Sequence, residues 1–148
     1  MFAVVPAFGA DPEAAPHHRF DEAMREREPD AEVAQTFDSD QTYRYAEASG
    51  DPMPIHLDGQ LAKSMGLPGI IIHGLCTMAF TSVAVIQHAC PEDPTRLDRL
   101  AVRFASTTQP EQTITTRLWD AAAGVCAYET TSDAGAVVIK DGLAAVKS

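Results

Sequence analysis

The run Ser64-Met-Gly-Leu-Pro-Gly-Ile-Ile-Ile-His73-Gly74-Leu-Cys-Thr-Met-Ala-Phe-Thr-Ser82-Val-Ala-Val-Ile-Gln-His-Ala-Cys90-Pro91 decides the fold. Its 28 residues contain no Asp, Glu, Lys or Arg. A charge-free stretch of this length first suggests a membrane span. Gly66, Pro68, Gly69, His73, Gly74, Gln87 and His88 break or polarise it, so no continuous apolar span exists. What survives is one helix from about Gly74 to Ala89, roughly 24 Å long at 1.5 Å per residue. Leu75, Met78, Ala79, Phe80, Val83, Ala84, Val85 and Ile86 cover nearly its whole circumference. A helix apolar all round is a buried helix.

Downstream of Pro91-Glu-Asp-Pro94 the chain reads as strands. Residues 98–106, 113–121, 125–131 and 136–146 are rich in Val, Ile, Thr and aromatics and are separated by turn residues. Upstream, Glu32-Val-Ala-Gln-Thr-Phe alternates like a short strand. A helix is expected after Ser39, a good N-cap, and it must stop at Ser49-Gly50-Asp51-Pro52. Residues 51–57 read as a loop, with a short helix from about Asp58 to Met65. The architecture is therefore α+β, an antiparallel sheet of about five strands around a long buried central helix. Residues 1–31 carry Pro6, Pro12, Pro16, Pro29 and a charge run. They are expected to form an extended or partly disordered acidic arm, with a short helix near Phe20 to Glu28. Residues 32–148 then make a single domain.

Composition narrows the function. The net charge is −10 over 148 residues, which argues against binding nucleic acid or an anionic membrane. Residues 1–40 hold ten acidic and three basic side chains, so most of the acid excess lies away from the long helix. A phosphate-bearing ligand needs only a local basic patch, for which Arg96, Arg99 and Arg103 are the best candidates. Cys76, Cys90 and Cys126 are few and widely spaced, with no CxxC. They suggest neither a disulfide framework nor a metal site, and point to a reducing, cytoplasmic compartment. His17-His18 is too isolated to hold a metal. The N-terminus shows no basic segment followed by an apolar one, so no signal peptide is expected. P-loop and dinucleotide fingerprints and Gly-Xaa-Ser-Xaa-Gly are absent, and no cofactor is expected.

Two short segments carry candidate chemistry. Asp51 and His56 stand five apart in Ser-Gly-Asp51-Pro-Met53-Pro-Ile55-His56. Two prolines stiffen this loop and can hold an acid and an imidazole in fixed relation. Such a pair exchanges protons with water near neutral pH. Gly-Asp-Pro is equally ordinary turn chemistry, and a lone histidine is equally at home in a core. His73-Gly74 sits where the long helix begins. The free N–H groups of a helix start can stabilise a developing oxyanion, though a glycine there also serves plain packing. A Cys76–His73 nucleophile is disfavoured, because buried cysteines are usually inert.

Tyr45-Ala-Glu-Ala-Ser-Gly-Asp51-Pro-Met-Pro-Ile-His56-Leu-Asp, with Gly66-Leu-Pro-Gly-Ile-Ile-Ile-His73-Gly74-Leu-Cys-Thr-Met, resembles the MaoC-like (R)-specific enoyl-CoA hydratases, or hydratase 2 enzymes, which have the hot-dog fold. The resemblance covers roughly Asp40 to Val85. It implies that Asp51 and His56 are the catalytic pair and that the Gly74 N–H lies in an oxyanion hole. It further implies that Ser82 on the central helix, with Met53 and Ile55 of the loop, lies against substrate, and that His73 is structural. The implied reaction adds water to a trans-2-enoyl thioester of CoA or acyl-carrier protein, or removes it from an (R)-3-hydroxyacyl thioester. Asp51 would draw the proton from water, and His56 would help protonate C2. Met53 stands where the family has Asn, so the loop's hydrogen bonding or substrate contacts should differ. The family commonly pairs its domains, so a homodimer, or a heterodimer with another hot-dog subunit, is expected. Hydrolysis of an acyl-CoA and a noncatalytic role in a hetero-oligomer are the competing readings, since fold alone does not fix function.

Overall fold

Five strands form one antiparallel sheet in the order β1-β3-β4-β5-β2. They are β1 (Ala31–Thr36), β2 (Leu97–Phe104), β3 (Thr113–Ala122), β4 (Val125–Ser132) and β5 (Val137–Val146). The structure is a computed structural model that describes residues 20–148; of the arm expected over residues 1–31, residues 1–19, with His17 and His18, lie outside the described residues, and Glu22–Glu26 form a 3-10 turn where a short helix is expected. The described residues also hold three α-helices, α1 (Gln41–Ser49), α2 (Gly59–Ser64) and α3 (Gly74–Ala89). The charge-free run supplies α3, with the bounds the sequence suggests.

Alternation along β3 and β4 sends Leu118, Cys126 and Tyr128 into one core with Val85 of α3 and Val138, Ile139 and Ala144 of β5. Fully burying a side chain such as Val85 contributes about 1.5–3 kcal/mol. Gly142 makes room for this core. A Cβ there would lie 2.5 Å from the Tyr128 ring, and the Tyr128 hydroxyl donates to the Ala101 carbonyl at 2.8 Å. A second cluster joins Phe37, Ile72, Cys76 and Ile114 near the start of α3.

Two expectations change. The N-cap of α1 is Asp40, not Ser39, and its carboxylate accepts from Arg44 at 3.0 Å instead of capping the helix. The central helix is buried on one side only. Cys76, Thr77, Thr81, Ala84 and Val85 face the sheet, whereas Leu75 is 62% and Val83 44% exposed. The sheet covers one face of this apolar helix, and Leu75 and Val83 lie on the other.

Residues 20–30 pack on the outer face of the sheet. Phe20 meets Trp119 edge-on at 6.3 Å, and the Arg25 guanidinium lies over Phe20. Arg25 also bonds Glu22, Glu129 and Asp141. Among the described residues no helix is long and apolar enough to cross a membrane.

Candidate active site

Gly50 ends α1 in the left-handed region at φ +70°, its N–H donating to Ala46. That turn points the chain into Asp51. Pro52 and Pro54 then fix φ, and Pro54–His56 closes into one 3-10 turn, with the His56 N–H donating to Met53 at 3.0 Å. Asp58 caps α2 with its carboxylate, accepting from the N–H groups of Gln60 and Leu61. The chain returns through Ile71 and Ile72 to His73, the N-cap of α3.

Three hydrogen bonds clip the loop to this returning segment. The Ile71 N–H donates to the Ile55 carbonyl at 3.3 Å. His56 Nδ1 lies 2.7 Å from the Ile71 carbonyl. His73 Nε2 lies 3.0 Å from the Asp51 main-chain carbonyl. A carbonyl only accepts, so each of these ring nitrogens carries the proton. His56 Nε2 and His73 Nδ1 are then left as acceptors while the rings are neutral. The rings stack with centroids 3.7 Å apart, and Tyr45 closes on His73 at 4.8 Å.

His56 is only 7% exposed. Burial drives its pKa below the ordinary histidine value; the Ile71 bond opposes this, His73 adds to it and Asp51 opposes it. His56 is therefore neutral near pH 7, with Nε2 free to accept a proton. Asp51 is partly exposed at the mouth of the cluster. One of its carboxylate oxygens and a ring nitrogen of each histidine lie within 4.8 Å of one another. A water donating two hydrogen bonds of about 2.8 Å spans acceptors roughly 4.4 Å apart, a separation within that bound.

The structure brings Asp51, His56 and Gly74 into one neighbourhood. Gly74 is the first residue of α3, and its N–H has no acceptor within the helix. A Cβ at Gly74 would meet the Phe104 ring at 3.4 Å, so the glycine keeps the helix start open beneath that ring. Ile55 takes part through its carbonyl. The Met53 side chain is exposed, but its N–H donates to the Asp51 carboxylate at 3.3 Å. The tie between position 53 and Asp51 is thus a backbone one, which a methionine makes as well as an asparagine. Ser82 stands apart. It lies about 12 Å along the helix from Gly74, and its hydroxyl donates to Ala79. Of the candidate phosphate ligands, Arg96 bonds the Lys147 carbonyl and Arg103 pairs with Asp141.

The sequence reading treats His73 as structural. Here it touches both catalytic candidates, the ring of His56 and the carbonyl of Asp51, and its position next to Gly74 was the available signal. Cys76 is buried and its thiol is pushed up to about 11 by desolvation, as expected of an inert cysteine.

A sequence model described as "MaoC like domain" matches residues 19–140. The chain is 33% identical over 141 residues to a probable enoyl-CoA hydratase 2 of Dictyostelium discoideum, covering 95% of this chain and 47% of the relative. The crystal structure of a MaoC-like dehydratase from Phytophthora capsici superposes with a TM-score of 0.79 at 32% identity, over 82% of this chain and 41% of that one. The full-length peroxisomal multifunctional enzyme type 2 of Drosophila melanogaster superposes at 0.81 with 30% identity, over 94% of this chain and 25% of that one. The chain spans less than half the length of each of these relatives.

Proposed function

The chain belongs to the MaoC-like domain family, and on that premise we propose that it adds water to trans-2-enoyl-CoA to give the (R)-3-hydroxyacyl-CoA, or runs the reverse dehydration. The observation that carries the reading is the pairing of Asp51 with a buried, neutral His56 whose Nδ1 is anchored at Ile71. Both groups facing the water are acceptors. A water between them donates both hydrogens and turns an oxygen lone pair toward C3 of the substrate.

The anchored tautomer favours His56 over Asp51 as the base, a reversal of the roles first inferred from the sequence. Imidazole is intrinsically the stronger base of the two. As the water oxygen bonds to C3, His56 Nε2 takes its proton, and the C2–C3 π electrons move toward the thioester carbonyl. The enolate oxygen rests on the Gly74 N–H, where the dipole of α3 adds positive potential. The imidazolium then returns a proton to C2, while the Asp51 carboxylate stabilises the imidazolium and orients the water. A thioester of acyl-carrier protein would meet the same groups.

We further propose that a second hot-dog unit covers the exposed face of α3. Leu75, Ala79 and Val83 recur every four residues on that face, beside a half-exposed Phe104 on the edge strand β2. The buried free cysteines suit a reducing compartment, the cytoplasm or a peroxisome.

Incubation with trans-2-enoyl-CoA tests the reaction. Loss of the enoyl absorbance without release of thiol is expected. Release of free CoA from acyl-CoA, with no hydrated product, would make the protein a thioesterase instead.

A further inference from the structure

A second cluster of chemistry-bearing side chains gathers at the far end of α3, about 21 Å along the helix from Gly74. His88 lies in the last turn of α3, and its Nε2 stands 2.9 Å from Asp120 Oδ1. Asp120 of β3 and Cys126 of β4 are direct cross-strand partners, so both side chains leave the same face of the sheet toward the helix. A ring nitrogen, a carboxylate oxygen and the thiol sulfur lie within 4.8 Å of one another. All three residues line an open cleft of about 270 Å³, together with Arg96 and Val146.

We propose that His88, Asp120 and Cys126 form a binding site for a borderline-soft divalent cation of the zinc type. An ion pair accounts for His88 and Asp120. The Cys126 thiol, which packs at the edge of the core and donates to the Ala127 carbonyl at 3.5 Å, stands third in the group. The donor set is the imidazole, carboxylate and thiolate mixture that zinc takes. Tetrahedral bonds of about 2.0–2.3 Å put ligand atoms about 3.3–3.6 Å apart. The His88–Asp120 pair need open by only a few tenths of an ångström, and the sulfur approach by side-chain rotation. Charge also balances: one carboxylate and one thiolate neutralise a divalent cation. On binding, the thiol S–H bond breaks, the sulfur–metal bond forms, and one proton leaves to solvent. His88 shifts its ring proton to Nδ1 so that Nε2 can ligate. The fourth position is left to water or to an anion held in the cleft. The cation would clasp the end of α3 to the β3–β4 hairpin, remote from the Asp51–His56 pair.

Titration of the protein with Co²⁺ alone, followed by absorption, tests the site. A sulfur-to-cobalt charge-transfer band saturating at one equivalent is expected, unchanged in Cys90→Ser and lost in Cys126→Ser. Partly exposed His88 and exposed Asp120 guard against misfolding of the buried-cysteine variant. His88→Gln and Asp120→Asn should retain the native circular dichroism and weaken cobalt binding by at least about tenfold. Absence of the band in the wild type would overturn the proposal, as would its persistence in Cys126→Ser or unaltered affinity in both surface variants.

Discussion

His56 and His73 lie stacked, ring centroids 3.7 Å apart and planes 21° from parallel. The two residues are seventeen positions apart in the chain, one in the proline-stiffened loop and one capping α3. Their contact, with the His73 bond to the Asp51 carbonyl, ties the Asp51–His56 loop to the start of α3. His73→Phe keeps a ring for the stack and leaves that carbonyl unsatisfied, at a cost of about 1–3 kcal/mol in stability. It should lower kcat more than it raises KM. It should also move the acid limb of the pH profile upward, because His73 is one of the groups that depress His56. Thermal melts and pH-rate profiles of the variant check both effects.

The depressed pKa of His56 fixes a sign for stability as well as for activity. Between its folded value and the ordinary value of about 6.5, the unfolded chain binds a proton that the folded chain refuses. The stabilisation is complete above about pH 6.5 and is lost as pH falls through the folded value. Denaturant midpoints measured across this range should fall with falling pH, and His56→Gln should flatten the slope. Activity should likewise persist below the ordinary histidine range before dropping.

Met53→Asn restores the residue of the family pattern and should change little. The tie to the Asp51 carboxylate comes from the position-53 N–H, and the side chain is exposed. The expected change is within roughly 0.5 kcal/mol, about twofold in kcat/KM. Steady-state kinetics on one short and one long enoyl-CoA would show whether any change is confined to acyl preference.

The apolar stripe of α3 predicts association. Wild-type protein should sediment as a dimer or larger assembly, and Leu75→Glu with Val83→Glu should shift it to monomer by placing carboxylates in a desolvated interface. A wild-type monomer at every concentration would remove the proposed partner from this face.

Much of this architecture is legible in the sequence for physical reasons. A charge-free run bounded by His73-Gly74 and Cys90-Pro91 leaves one helical solution, and residues 74–89 are that helix. Strand ends at 113, 125 and 137 follow turn residues closely. Which face of α3 the sheet leaves exposed was not legible, since apolar residues surround the helix on every side. The helix starts after Asp40 without a side-chain cap, because Arg44, one turn on, draws the carboxylates of both Asp38 and Asp40 to itself. The role of His73 depends on contacts with residues 51 and 56, which spacing alone does not define. The same is true of His88, Asp120 and Cys126, which only the fold assembles.

The most direct test of the central claim compares wild type with Asp51→Asn and His56→Ala on trans-2-enoyl-CoA, with chiral analysis of the product. The account predicts (R)-3-hydroxyacyl-CoA from the wild type. It predicts a loss of kcat of roughly a hundred- to ten-thousand-fold in each variant, with circular dichroism unchanged. An (S) product, or near wild-type kcat in folded Asp51→Asn and His56→Ala, would contradict it.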